Sequence, residues 1–397
     1  MAVSRSLPDR PTAAQTDFDL IVVGAGGVGS AAAYHAARRS LRVLLLEQFS
    51  VGHTRGSSHG GSRIIRYTHD NLGDAAQMPA TFALWRELEQ ASGVPLLQMT
   101  GGLYLGPADE PWLRRSRDAL TALGFPFRLR SGDDLAAAYP QWRFGPDWVG
   151  VEQDESGILA ASTCVATLTD QAQRHGARLR TQTPVASVTP DGAGVSVRTA
   201  AGETLRSERV ILAAGPWSAR FLAGLVDFTV HLRVTHQQVA YFAARDVSAY
   251  SVGRFPLFIV TVDPHFYGFP IFERSGLVKV ALEQSEVTVD PDSPRAVDGN
   301  LLDRLSALVA QHLPGLDPMP LHVETCLYTE TPTRDFVIDR HPDHPQIVIA
   351  AGFSGRGFKH TIAVGQLLVD LATRPAGDYA LSFWRDSYAL GRFAPRP

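Results

Sequence analysis

Cysteine is almost absent from this chain: Cys164 and Cys326 are the only two in 397 residues. Two thiols cannot build a disulfide framework, and these lack the paired spacing of a zinc site, so a reducing compartment is expected. There is no excess of either charge. Against 37 Lys and Arg stand 40 Asp and Glu, a net of −3, and no basic stripe exists for a phosphate backbone to follow, so nucleic acid is not expected as a partner. Long apolar runs are also missing; the strongest, 20–23 and 44–46, are strand-sized, far short of the roughly 18 residues of a membrane span. Residues 1–16 are polar, contain two prolines and hold no apolar stretch of the signal-peptide kind, which reads as a mobile tail and a cytoplasmic location. What remains is 45% hydrophobic, ample for two domains or one large domain with insertions.

The densest local signal lies just behind the tail. Residues 18–23, FDLIVV, run into Gly24-Ala25-Gly26-Gly27-Val28-Gly29 and then into an alanine-rich stretch, Ala31 to Ala37. That is strand, tight turn and helix, with Gly24 for the turn, Gly26 for close approach of a pyrophosphate and Gly29 for helix–strand packing. The helix N-terminus offers free N–H groups to phosphates. A second strand, 43–46, ends at Glu47, 23 residues after Gly24, where a carboxylate accepts from a ribose and repels a 2′-phosphate. A glycine-rich turn alone matches many loops; the combination predicts FAD or NAD and disfavours NADP.

Two more strand-to-glycine junctions follow, 208–215 ending in Gly215 and 346–357 ending in a second glycine-rich turn. In open α/β sheets ligands sit beyond the strands' C-terminal ends, so distant junctions converge on one cofactor. The predicted fold is α/β: a discontinuous Rossmann-like cofactor domain, 17–95, 150–224 and 326–397, with an inserted antiparallel-sheet substrate domain, 96–149 and 225–325. Strand-like alternation at 239–242 and 277–282 suits the insertion.

The string from His53 to Arg66, HTRGSSHGGSRIIR, resembles the flavin-proximal loop of the monomeric sarcosine oxidase and N-methyltryptophan oxidase family. Tyr267-Gly268-Phe269-Pro270, the strand around Lys279, Thr325 to Thr329 with Asp335 to Asp339, and Gly352 to Lys359 agree in order and spacing. The resemblance implies FAD attached covalently through Cys326, whose bland alternative is a small buried thiol. It places Arg63 by the flavin ring, Arg66 and Lys359 on the substrate carboxylate, and Lys279 at the flavin edge as the oxygen-activating group. It also puts His59, Tyr267 and Tyr328 around the flavin and substrate cavity, with Ser58, Val185, Gly215, Gly355, Gly357 and Phe358 as further cofactor contacts. Arg63 and Arg66 are three apart, so in an extended segment they point to opposite faces and take different roles.

Three positions depart from the family pattern: Glu283 and Arg356 stand where histidines are expected, and His69 where a tyrosine is. Glu283 and Arg356 are expected to pair as a polar wall that alters which amine fits. The reading is an FAD-dependent oxidase of an N-methyl or cyclic amino acid that uses O2, makes hydrogen peroxide and acts as a monomer. A same-fold amino-acid dehydrogenase and a non-catalytic electron-transfer flavin subunit are the alternatives, and an NAD-linked dehydrogenase is disfavoured by the Cys326 segment.

Overall fold

A computed structural model describes residues 16–226, 230–283, 286–375 and 387–393. Almost all of the tail expected over 1–16 lies outside the described residues. The apolar runs at 18–23 and 43–46 form strands Phe18–Val23 and Val43–Leu46, paired in parallel. Thr204–Leu212 lies parallel on the other side of the first strand, and Ile347–Ala351 beyond it. Such strands are buried on both faces, which is why they read as unbroken apolar runs. Leu20 and Val22 pack under helices Gly27–Arg38 and Thr361–Thr373, while Ile21 and Val23 face the second apolar cluster with Leu44, Leu46 and Val210. This sheet has eight strands and draws them from three widely separated parts of the chain, 18–46, 178–212 and 337–351.

A second eight-stranded sheet runs in the order Leu316–Glu330, Arg233–Ala244, Leu277–Leu282, Phe266–Gly268, Leu257–Val260, Gly102–Pro107, Trp148–Gln153 and Arg128–Ser131. It is antiparallel except where Leu257–Val260 lies parallel to Gly102–Pro107. Parallel neighbours need a long crossover, and these two strands come from the two separate insertions. The divisions expected at 149/150 and 325/326 fall inside Trp148–Gln153 and Leu316–Glu330, so Cys326 and Tyr328 are carried by the second sheet. A small third sheet joins Arg63–Arg66, Ser156–Leu159 and Leu97–Met99.

Register decides what the second sheet shows to the first. Tyr104 pairs with Ile259, Ile259 with Tyr267, Tyr267 with Ala281, Lys279 with Tyr241, and Tyr241 with His322. Paired residues share a face and so do residues two apart, which puts Tyr104, Tyr267, Lys279, Tyr241, Cys326 and Tyr328 on one face. The opposite parity, Leu103, Leu105, Ala240, Phe258, Val278 and Val280, forms an apolar core with Leu305 and Val309 of helix Gly299–His312. Each fully buried aliphatic chain there contributes about 1.5–3 kcal/mol, so a one-residue slip is strongly disfavoured and the polar face is held in place. Among the described residues, no helix is long and apolar enough to cross a membrane.

Candidate active site

The Gly24 turn is built as its glycines require. Gly24 has φ +101°, and a Cβ there would sit 2.4 Å from the Ala213 carbonyl; one on Gly29 would sit 1.8 Å from the Gly24 carbonyl. Gly29 thus serves packing behind the turn, while Gly24 and Gly26 face a cavity of about 400 Å³. Glu47, Ser58, His59, Arg63, Val185 and Gly215 line the same cavity. So do Tyr328, Gly355, Gly357 and Phe358. Glu47 Oε2 accepts from Ala25 N at 2.8 Å and its Oε1 from Phe49 N at 2.9 Å, with His53 Nε2 at 3.4 Å. Burial would raise its carboxyl, but His53 and the two amides outweigh it and hold it below the usual carboxylate value. A helix N-terminus, glycines with no room for side chains and an ionised carboxylate at the second strand's end fit the diphosphate and ribose of FAD.

Arg63 donates to the carbonyls of Ser57, Ser62 and His59 at 3.0, 2.7 and 2.7 Å. Its fork therefore shapes the loop that walls the cavity. His59 is pushed down to about 4 by burial and by Arg63 and Arg295, so its imidazole is neutral, and its Nε2 is buried without a partner among the described residues. Arg66 points the other way from the same strand, with its guanidinium 5.5 Å over the Tyr104 ring and 5.0 Å over Trp112. Arg66 Nε and Nη1 are buried with no hydrogen-bond partner among the described residues.

The sequence contains only two lysines, Lys279 and Lys359, and both are buried, 4% and 5% exposed. Lys359 stands in the 3₁₀ turn Phe358–His360, directly ahead of helix Thr361–Thr373, and its Nζ donates to the Arg356 carbonyl at 2.8 Å. No carboxylate of the described residues forms an ion pair with it. Burial, then Arg66 and Arg356, press its ammonium well below the usual lysine value. A buried ammonium beside a half-buried guanidinium with two enclosed, unused donors, neither in an ion pair among the described residues, makes an anion site. His69, wholly enclosed beside them, is held neutral by burial and by Lys359 and Arg66.

Lys279 does have an acid. Its Nζ lies 3.0 Å from both Glu273 Oε1 and Ser62 Oγ, and burial lowers its ammonium while Glu273 restores part of the loss. Glu273 and Ser62 were not foreseen; nothing in the stretch FERSG marks Glu273 out. Tyr267 and Tyr328 are neighbours, and burial pushes Tyr267 up to about 12 and Tyr328 well above the usual tyrosine value. Burial also raises the Cys326 thiol, although Arg63, Lys279 and Arg295 pull it down. These three cations do not overcome desolvation of the thiol in the protein alone.

The polar wall is corrected. Arg356 does not meet Glu283: its Nη1 binds Asp74 Oδ2 at 2.5 Å and its Nη2 the Arg334 carbonyl at 3.1 Å. Glu283 instead has His265 at 3.6 Å. Burial would raise the Glu283 carboxyl, but His265, Arg334 and Arg66 outweigh it and keep it ionised. Asp74 intervenes because the short helix Leu72–Ala76 delivers it beside Arg356, a long-range contact that spacing does not reveal.

Residues 19–371 match the family model described as DAO, FAD dependent oxidoreductase. The chain belongs to this family. Among its relatives is the peroxisomal sarcosine oxidase of Homo sapiens, 35% identical over 94% of this chain and 97% of that one. The monomeric sarcosine oxidase of Bacillus sp. (strain NS-129) is 31% identical over 93% and 96%. Among solved structures, NikD, an unusual amino acid oxidase essential for nikkomycin biosynthesis, superposes with a TM-score of 0.82 at 27% identity, covering 93% of this chain and 97% of that one. Membership of the DAO family makes the chain an FAD-dependent oxidoreductase, and the cavity at the Gly24 turn has the chemistry that the cofactor's diphosphate and ribose require.

Proposed function

We propose that this chain is an FAD-dependent oxidase of a secondary amino acid, N-methylated or cyclic, acting as a single chain in the cytoplasm. One observation supports the substrate class above all others: the buried Lys359 ammonium lies near Arg66, whose guanidinium leaves two enclosed donors unused among the described residues. A buried cation pair of this kind is stabilised by an anion, and a guanidinium binds a carboxylate bidentately while an ammonium adds a point charge. The sarcosine oxidase and N-methyl-L-tryptophan oxidase relatives agree with an amino-acid substrate.

When bound, FAD would accept the two electrons and the hydrogen of the amine's C–H bond and pass the electrons to O2, giving hydrogen peroxide. The protein's part is position and charge. Arg66 and Lys359 anchor the carboxylate and leave the amine to lie toward Tyr267, Tyr328 and His59. Tyr267 and Tyr328 remain protonated, and His59 at about 4 and the depressed His69 are poor bases. None of these groups strips a proton from an ammonium substrate at neutral pH, so the substrate reacts as the neutral amine. The imine product then hydrolyses in water. Lys279 supplies positive charge where charge develops on oxygen, and its neighbourhood on the sheet with Cys326 supports a thioether from Cys326 to the cofactor.

Acid precipitation tests the linkage: flavin stays with the wild-type protein and is freed from Cys326→Ser. Anaerobic addition of sarcosine, other N-methyl amino acids, L-proline and L-pipecolate tests the reaction. Saturable bleaching by at least one of them, reversed by O2 with peroxide release, is the expected result; no bleaching by any of them contradicts it.

A further inference from the structure

Reducing O2 to hydrogen peroxide takes two electrons and two protons, and the residue placed to face that oxygen, Lys279, is only 4% exposed. An ammonium that gives up a proton in such a place needs it returned. Lys279 Nζ is hydrogen-bonded to Glu273 Oε1 at 3.0 Å. Glu273 faces the Tyr241 hydroxyl, which donates its one proton to Glu324 Oε2 at 3.2 Å. The other oxygen of Glu324 lies 3.2 Å from His322 Nε2 and 2.8 Å from Arg274 Nη2. Side-chain exposure rises along this line: 5% at Lys279, 14% at Glu273, 26% at Glu324 and 39% at His322.

The arrangement comes straight from strand register. Tyr241 is the central member of a row, opposite Lys279 on one neighbouring strand and His322 on the other. Glu324 lies two residues beyond His322 on the same face, so the pleat alone aligns the polar groups. Four ionisable or hydroxylic groups in a row from an enclosed lysine to the surface are more than an ion pair requires, because Glu273 alone already compensates Lys279. Ser62, Arg63 and Phe269 also surround Lys279.

We infer that Glu273, Tyr241 and Glu324 form a proton relay that recharges Lys279 from solvent during oxygen reduction. The inference rests on the oxidase reading of Lys279 and deepens it. Each transfer moves one proton: Lys279 gives one to the reduced oxygen species and takes one from Glu273. Both carboxylates rest ionised, so the proton enters first at the surface, on Glu324; the Tyr241 oxygen accepts it while the Tyr241 hydroxyl, turned away from Glu324, gives its own proton to Glu273, which passes it to Lys279. The electrons come from the amine by way of FAD together with the hydrogen of its C–H bond, which supplies one of the two protons; Lys279 supplies the other, and the two complete H2O2. Glu273, Tyr241 and Glu324 are positioning and relay residues; none of them touches the amine.

The two-lysine composition makes the test clean. In holoenzyme labelled with 15N-lysine, only two Nζ signals exist, and Lys359 serves as the internal control. Tyr241→Phe and Glu324→Gln each slow hydrogen exchange at Lys279 Nζ about tenfold, leave Lys359 unchanged, and slow re-oxidation by O2 by a similar factor, on the scale of one general-acid contribution. Anaerobic amine bleaching stays within about twofold. Unaltered Lys279 exchange in both variants overturns the relay. Equal losses in bleaching and re-oxidation also overturn it, as a structural effect. A Lys279→Met enzyme that re-oxidises at the wild-type rate overturns the oxygen role of Lys279 instead, a separate failure.

Discussion

Arg356 Nη1 and Tyr388 Oη both donate to the carboxylate of Asp74, at 2.5 Å to Oδ2 and 2.5 Å to Oδ1. One side chain from the helix behind the Arg66 strand thus ties the glycine-rich turn that carries Lys359 to the segment around Tyr388. The Asp74 carboxylate is only 2% exposed and Arg356 28%, so the contact holds structure together beside the anion site.

Replacing Asp74 with Asn leaves the Arg356 guanidinium half-buried with a neutral partner. The partial exposure of Arg356 moderates the loss, and we expect about 2 kcal/mol of destabilisation, read from urea unfolding midpoints. The same logic separates the two departures from the family pattern. Arg356→His lowers stability and leaves relative substrate preference alone, whereas Glu283→His shifts preference. A panel of amines assayed with both variants checks this.

Arg66→Lys keeps a positive charge but loses the planar fork. Losing one charge-assisted hydrogen bond is worth about 1.5–3 kcal/mol, which corresponds to roughly 10- to 150-fold in kcat/KM. The loss falls on KM for the amino acid more than on the limiting rate of bleaching. A variant with wild-type KM would remove Arg66 from the carboxylate.

The pH dependence has two limbs. Bleaching rises with pH as the substrate amine loses its proton, because Tyr267, Tyr328, His59 and His69 offer no base. It falls again at high pH as Lys359 discharges, and it does so below the usual lysine range because burial, Arg66 and Arg356 lower that ammonium. In Lys359→Arg the falling limb disappears from the accessible range while the rising limb stays.

Stability without substrate carries the opposite mark. A lysine whose folded pKa lies below its unfolded value binds fewer protons folded than unfolded between the two. Stability therefore increases as pH rises from the depressed folded value toward the ordinary lysine value. Lys359→Met removes the enclosed charge altogether, and we expect the substrate-free holoenzyme to gain on the order of 1 kcal/mol while amino-acid affinity falls. Thermal melts of both proteins across that pH window, with and without substrate, measure each part.

Much of this was legible before any coordinates. The strand at 18–23, the Gly24 turn and Glu47 are local patterns whose periodicity and glycine positions follow from backbone sterics, and the structure has each of them. Arg63 and Arg66 diverge because they are three apart on a strand, as the pleat demands. The partners of these side chains were not legible. Glu273 reaches Lys279 across a loop, and Asp74 reaches Arg356 across 282 residues. No short-range rule encodes either, so a pairing of Glu283 with Arg356 was the natural but mistaken inference. One signal was available and unused: a chain of this length with only two lysines.

The central claim is that a carboxylate anchored by Arg66 and Lys359 presents a secondary amine to FAD. The most direct measurement is anaerobic bleaching of the holoenzyme by the best amino acid of the panel beside its carboxamide, with the amine identical and the charge removed. The account predicts saturable bleaching by the acid and at least about a hundredfold lower kcat/KM for the amide, the scale of a lost charge-assisted pair. Equal bleaching by acid and amide would contradict it.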